Sequence, residues 1–64
     1  MTRAEQRGMI QELREYARKM TRAEEEELAM FLKRDKDDED LDSLSRDRLI
    51  ALYRKFIPRG RYLL

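Results

Sequence analysis

The densest set of chemically reactive side chains is the acidic run from Asp35 to Asp42, with the sequence Asp-Lys-Asp-Asp-Glu-Asp-Leu-Asp. Calcium prefers oxygen ligands, and its loops require a glycine at the sixth position and a closing glutamate at the twelfth. Counted from Asp35, those positions hold Asp40 and Arg46. We therefore predict no metal site and interpret the run as a solvated loop, with weak cation binding as the alternative.

Other catalytic chemistry has little support in the residue types. The sequence contains neither cysteine nor histidine, so disulfides and the commonest general base and metal ligand are excluded. The only serines are Ser43 and Ser45, and no histidine is present to activate them. Carboxylates are abundant, but 64 residues leave too little chain to build a water-excluding cleft around them. We predict a non-enzymatic protein with no catalytic residue, no cofactor and no small-molecule substrate.

Five consecutive apolar residues, Leu28 to Leu32, form the most informative segment for function. On a helix, such a run covers every direction around the axis, and a small bundle can bury only one side. Met30 would then point away from Leu28 and Leu32, and methionine suits an adaptable interface. Either the C-terminal tail folds back over Met30, or Met30 contacts a protein partner or a second copy. We predict such an interface, formed by helix 2 and the tail through Met30, Phe31, Arg59, Arg61, Tyr62, Leu63 and Leu64.

Basic and aromatic side chains alternate in residues 53–64, a pattern that can bind phosphates and stack on bases. The acidic loop before this segment would repel a phosphate backbone, and two of the aromatic residues fall on a predicted core face. Nucleic-acid binding through helix 3 and the arginine-rich tail is therefore our second hypothesis. The residues concerned are Tyr53, Arg54, Lys55, Phe56, Arg59, Arg61 and Tyr62.

A repeated pentapeptide, Met-Thr-Arg-Ala-Glu, occurs at residues 1–5 and 20–24. In each copy a threonine precedes a glutamate by three residues, which is the spacing of a capping box. The threonine hydroxyl accepts from the third helical N–H, and the glutamate reaches back to the threonine N–H. The repeat therefore predicts two helix starts, after Thr2 and after Thr21.

Apolar residues then recur at three- and four-residue spacing in three segments, which predicts an all-α, single-domain, three-helix bundle. We expect helix 1 over about 3–19, helix 2 over about 22–34, an acidic loop over 35–43, helix 3 over about 46–57 and a basic and apolar tail over 58–64. No glycine or proline separates helices 1 and 2, so one continuous helix is the alternative.

Helix 3 is predicted to begin at Ser45 as its N-cap, with Leu44 packing against Leu49, and to end before Pro58. The predicted core residues are central to their apolar stripes: Leu13, Leu28, Leu49 and Phe56.

Charge is segregated along the chain. Residues 1–23 carry net +3, residues 24–42 net −7 and residues 43–64 net +5, so the whole chain carries +1. The segments either neutralise one another or present charged patches to a partner. The sequence contains no signal-peptide pattern, and its longest apolar run is too short to span a bilayer. We predict a small cytoplasmic regulatory protein without a membrane partner.

Two short segments resemble parts of the Hha/YmoA family. They are Glu-Leu-Ala-Met-Phe at 27–31 and Leu-Tyr-Arg-Lys-Phe-Ile-Pro-Arg-Gly-Arg-Tyr-Leu-Leu at 52–64. The resemblance implies a small helical bacterial regulator that acts through a nucleoid protein rather than by reading DNA itself. It covers well under half of the chain. The acidic stretch between the segments and an extra residue before Pro58 depart from the family pattern, so no residue's role is transferred.

Overall fold

The structure is a computed structural model that describes residues 2–60 and Tyr62. These residues form three α-helices, α1 (Arg3–Arg14), α2 (Arg22–Lys36) and α3 (Ser43–Phe56), with a short 3₁₀ turn (Ala17–Lys19) between α1 and α2. The described residues contain no strand. Helix α1 packs against both α2 and α3. The predicted all-α three-helix bundle is confirmed.

Both capping boxes are present. The Thr2 N–H donates to the Glu5 carboxylate at 3.0 Å, and the Glu5 N–H donates to the Thr2 hydroxyl at 3.1 Å. The corresponding distances between Thr21 and Glu24 are 2.8 and 3.2 Å. The repeated pentapeptide therefore marks two helix starts, because each copy satisfies two backbone N–H groups that have no partner inside the helix.

Helix α1 ends at Arg14, five residues before the predicted end at Lys19, and the continuous-helix alternative is also wrong. After Arg14 the backbone tightens into bonds between residues three apart, from Tyr16 to Leu13 and from Lys19 to Tyr16, both at 2.9 Å. The turn lets α2 pack against α1, and Met20 is buried at the junction. Burial of two apolar stripes against each other thus outweighs the propensity to continue the helix.

Helix α2 ends at Lys36, two residues later than predicted, so the connecting loop covers 37–42 rather than 35–43. The Glu39 N–H donates to the Arg34 carbonyl at 2.9 Å, and the Asp38 N–H donates to the Asp35 carbonyl at 3.0 Å. These two bonds form a Schellman ending, in which Asp38 takes the left-handed conformation with φ of 62°. Aspartate tolerates this conformation better than most residues, which is why the helix stops without a glycine.

Helix α3 begins at Ser43 and its N-cap is Asp42, so the predicted N-cap Ser45 is wrong. The Asp42 carboxylate accepts from the Ser45 N–H at 2.7 Å, and a negative charge is favoured at this end of the helix. Leu44 is 71% exposed rather than packed into the bundle. Leu41, inside the acidic segment, is buried in its place, so that segment is only partly solvated.

The core is built mainly from one face of each helix. Leu13, Leu28 and Leu49 are buried as predicted, but Phe56 is only half-buried. It lies in the last turn of α3, where its ring faces the Tyr16 ring with centroids 6.2 Å apart. The buried apolar residues are Met9, Ile10, Leu13, Met20, Leu28, Phe31, Leu41, Leu49, Leu52 and Tyr53.

Candidate functional site

Met30 is the central residue of the predicted interface, and the bundle leaves it 38% exposed. It lies on the side of α2 that faces away from the core, together with exposed Glu26, Ala29 and Lys33. At about 100° per residue, these four positions span an arc of roughly 100° around α2. We refer to these four residues as the α2 face.

Phe31 does not belong to this surface. Its side chain is 0% exposed and forms part of the core, so its predicted contact with a partner is wrong in this fold. Phe31 follows Met30 by one residue, and one residue turns a helix by about 100°. The apolar run therefore divides into a core side, with Leu28 and Phe31, and an outer side, with Ala29 and Met30.

A shallow groove of about 320 Å³ adjoins the α2 face. Apolar side chains from the 3₁₀ turn and α2 form most of its lining, and Arg18 and Glu25 are its charged members. Ala29 belongs both to this groove and to the α2 face. The lining residues are Ala17, Arg18, Glu25, Leu28, Ala29 and Leu32.

The described part of the tail packs elsewhere. The Tyr62 ring lies edge-on to the Tyr53 ring, with centroids 6.0 Å apart, and its phenol end contacts Gly8 of α1. Tyr62 is half-buried against the core, and Met30 is still 38% exposed. The described part of the tail therefore does not bury Met30. Arg59 is exposed. The other predicted interface residues, Arg61, Leu63 and Leu64, lie outside the described residues.

Ion pairs between segments of opposite charge neutralise much of the charge that is segregated along the chain. Helix α3 neutralises acids at the start of α2: Lys55 pairs with Glu24 at 2.5 Å, and Arg48 pairs with Glu27 at 3.3 Å. The hydrogen bond from Lys55, followed by that from the Thr21 backbone N–H, lowers the pKa of Glu24 below its ordinary value. The basic and acidic segments thus neutralise one another, as one of the two sequence interpretations expected.

The same neutralisation occurs between α1 and the acidic segment. Arg7 pairs with the buried Asp35 at 3.1 Å, and Arg3 pairs with Asp38 at 3.3 Å and Asp40 at 3.0 Å. Within residues 2–60 and Tyr62, no group of three or more carboxylates is arranged to hold a metal ion. In the same part of the chain, no helix is long and apolar enough to cross a membrane.

The basic and aromatic residues of the second hypothesis are only partly brought together. The Tyr16 and Phe56 rings, which are tilted by 38° to each other, are each flanked by a lysine. Lys19 Nζ lies 6.0 Å from the Tyr16 centroid and Lys55 Nζ lies 5.6 Å from the Phe56 centroid. Tyr53, by contrast, is fully buried and donates its phenol proton to the Glu12 carboxylate. Tyr53 is therefore a core residue and not part of a base-stacking surface.

Leu44, predicted to pack against Leu49, is an exposed apolar residue. Its exposure follows from the N-cap at Asp42, which moves the start of α3 and turns Leu44 toward solvent. The acidic side chain three residues before the Ser45 N–H was the signal that could have identified this start.

No protein-family model matches the sequence, and neither a curated protein nor a solved structure shows detectable similarity to it. The resemblance to the Hha/YmoA family is thus limited to two short segments and supports no further argument.

Proposed function

We propose that this protein is a small non-enzymatic interaction module that self-associates through the α2 face, two copies packing with their α2 helices antiparallel. The observation that carries the proposal is the exposed pair Ala29 and Met30 at the middle of a helix with opposite charges at its two ends. Ala29 allows close approach of two helices, and the methionine side chain adapts to the contact.

Charge complementarity favours a second copy as the occupant. The first half of α2 is acidic, from Glu24 to Glu27, and its last turn is basic. An antiparallel pair with its two-fold axis beside Met30 places Glu26 of each copy opposite Lys33 of the other, and the two helix dipoles oppose one another. Parallel packing would instead bring like charges together.

The charges on the α2 face are available for such contacts. Among the described residues, Glu26 has one weak ion pair, with Arg22 at 3.6 Å, and both side chains are largely exposed. Exposed pairs of this kind contribute roughly 0–1 kcal/mol, so exchanging this one for an intermolecular pair costs little. By contrast, Glu24 and Glu27 are engaged with α3.

Charge reversal provides the decisive test, because it changes the contact without altering the core. Lys33→Glu and Glu26→Lys should each weaken dimerisation by about tenfold, since two exposed ion pairs become repulsive. The double variant carrying both changes should recover dimerisation, because each new lysine then faces a new glutamate. Sedimentation velocity over a concentration series measures each dissociation constant, and circular dichroism checks the helix content.

Arg54→Glu is the matched control, because it makes the same change of charge as Lys33→Glu on the exposed side of α3. It should leave the dissociation constant unchanged. Met30→Glu should dissociate the dimer and leave the helix content intact. A wild-type protein that is monomeric at high concentration, or a double variant no better than the single ones, would contradict the proposal.

Single-stranded nucleic acid is the second candidate partner, favoured by the half-buried Tyr16 and Phe56 rings with lysines beside them. Against it, Lys55 is already paired with Glu24. If nucleic acid binds, Arg59→Ala together with Arg61→Ala should weaken binding and reduce its salt dependence by roughly one log–log unit for each phosphate that the protein no longer neutralises. Fluorescence anisotropy with a labelled oligonucleotide at several salt concentrations measures both effects.

A further inference from the structure

A pocket of about 590 Å³ lies at the end of the bundle where α1 and α3 begin. Small-molecule sites typically measure roughly 300–1,000 Å³. The lining comes from the first turns of α1, the loop before α3 and the first turn of α3, and it consists of Arg3, Gln6, Asp40, Leu41 and Arg46. The pocket is remote in sequence from the α2 face.

Two hydrogen-bond donors in this lining have no acceptor among the described residues. The Gln6 side chain is 3% exposed, yet its Nε2 amide is unpartnered, and the buried Nε of Arg46 is unpartnered as well. A buried donor without an acceptor costs roughly 1–3 kcal/mol, more when it is charged, so such groups in a native fold call for an explanation. Both donors belong to residues that line the same pocket.

The charge of the lining restricts what the acceptor can be. Within the lining, Arg3 and Arg46 contribute two positive charges and Asp40 one negative charge. Arg3 is paired with Asp38 at 3.3 Å and with Asp40 at 3.0 Å, so Gln6 and Arg46 are the donors left for a ligand. The charges of Arg34 and Arg46 both act on Asp42, so the cations and carboxylates around the pocket are nearly balanced. One carboxylate adds a single negative charge to this balance, whereas a phosphate dianion adds two beside three aspartates.

We infer that this pocket binds the carboxylate group of a small organic acid, with the Gln6 amide and the Arg46 guanidinium as its donors. The carboxylate oxygens accept from Gln6 Nε2 and Arg46 Nε, and Leu41 forms an apolar wall for the adjoining carbon atoms. The inference goes beyond the proposed self-association and does not depend on it, since none of these five residues belongs to the α2 face.

The side-chain amides provide an unusually simple readout. The sequence has no asparagine and only two glutamines, Gln6 and Gln11, so only two side-chain amide groups contribute to a ¹H–¹⁵N spectrum. Gln11 is exposed and accepts from Arg14 at 3.1 Å, which makes it an internal reference. Titration with acetate at constant ionic strength should shift the side-chain amide resonances of Gln6 until they reach a plateau. The side-chain amide resonances of Gln11 should remain almost unchanged.

Inorganic phosphate, titrated in the same way, should bind at least tenfold more weakly than acetate. A Gln6 amide that does not move, or that moves no more than the Gln11 amide, would mean that water alone satisfies these donors and would overturn the inference. Phosphate binding as tightly as acetate would overturn the assignment to a carboxylate.

A pair of isosteric variants tests the donor role. Gln6→Glu replaces the amide donor by a carboxylate that can itself accept from Arg46, so acetate binding, followed by the backbone amides of residue 6 and Leu41, should weaken at least tenfold. Gln11→Glu makes the same change on the exposed side of α1 and should retain the wild-type midpoint. An unchanged midpoint in Gln6→Glu would contradict the inference, and the wild-type titration decides the matter even if that variant does not fold.

Discussion

The phenol end of Tyr62 occupies the space where a side chain at Gly8 would stand. Gly8 lies within α1, where glycine costs roughly 1 kcal/mol of stability relative to alanine. Its presence is explained by the close approach of the Tyr62 ring, which packs this part of the tail against α1 and α3. The absence of a side chain at Gly8 thus allows a contact between residues far apart in sequence, at a cost in helix propensity.

We expect Gly8→Ala to stabilise the protein by about 1 kcal/mol only when Tyr62 is also replaced by alanine. In the wild-type background the new methyl group displaces the Tyr62 ring, so most of this gain should disappear. Urea unfolding of the four proteins in this double-mutant cycle measures the coupling between the two positions. An equal gain in both backgrounds would show that Tyr62 does not rest on Gly8.

Tyr53 should titrate at unusually high pH. Burial of the ring, and then its hydrogen bond to Glu12, raise the pKa of Tyr53 from 10.0 to about 12. Because the folded-state pKa is the higher one, this contribution to stability is complete below pH 10 and is lost as the pH rises from 10 to 12. Tyrosinate absorbance and unfolding free energies measured across that range should show the effect.

Tyr53→Phe tests this contribution directly. Removing the Tyr53 hydroxyl should flatten the fall in stability above pH 10. If the alkaline fall in stability were unchanged in Tyr53→Phe, the titration of Tyr53 would not be its cause.

The two capping boxes should contribute different amounts to the free energy of unfolding. Thr21→Ala should lower the free energy of unfolding by about 1 kcal/mol, the usual cost of losing an N-cap. Thr2→Ala should cost less, because the first turn of α1 frays more readily than a junction between two helices. Thermal unfolding of both variants provides the comparison, and equal losses would argue against fraying at α1.

The loss of stability caused by truncating a core residue should depend on how deeply that residue is buried, rather than on its position in the apolar stripe. Leu49→Ala should cost about 2–5 kcal/mol, which is comparable to the whole stability of a domain of this size. Phe56→Ala should be tolerated better, because Phe56 is half-buried against Tyr16. Circular dichroism should therefore show folded Phe56→Ala protein under conditions in which Leu49→Ala is largely unfolded.

The sequence predicts what local chemistry determines. The spacing of Thr2 and Glu5, and of Thr21 and Glu24, predicts two helix starts, and the apolar stripes predict three helices with a shared core. The end of α1 at Arg14 is not predicted, because no glycine or proline marks it and the break serves packing between α1 and α2. The Asp42 cap is missed because Ser45, three residues later, offers an equally good capping side chain.

The candidate surfaces were harder to predict because they also depend on how the helices pack against one another. An apolar run from Leu28 to Leu32 covers all sides of a helix, so only the positions of the other helices decide that Phe31 faces inward and Met30 outward. The pocket between Gln6 and Arg46 joins residues forty positions apart in the sequence. Neither residue forms part of a local motif that would indicate the other.

The central place of α1 has a consequence for the order of events during synthesis. Helix α1 packs against both other helices, and its bond from Tyr53 to Glu12 joins residues 41 positions apart. The ribosome releases α1 first, so its apolar side chains, such as Leu13, have no complete partner surface until α3 has also emerged. The nascent chain therefore completes its core only after α3 has emerged, although α1 and α2 can pack against each other before that point.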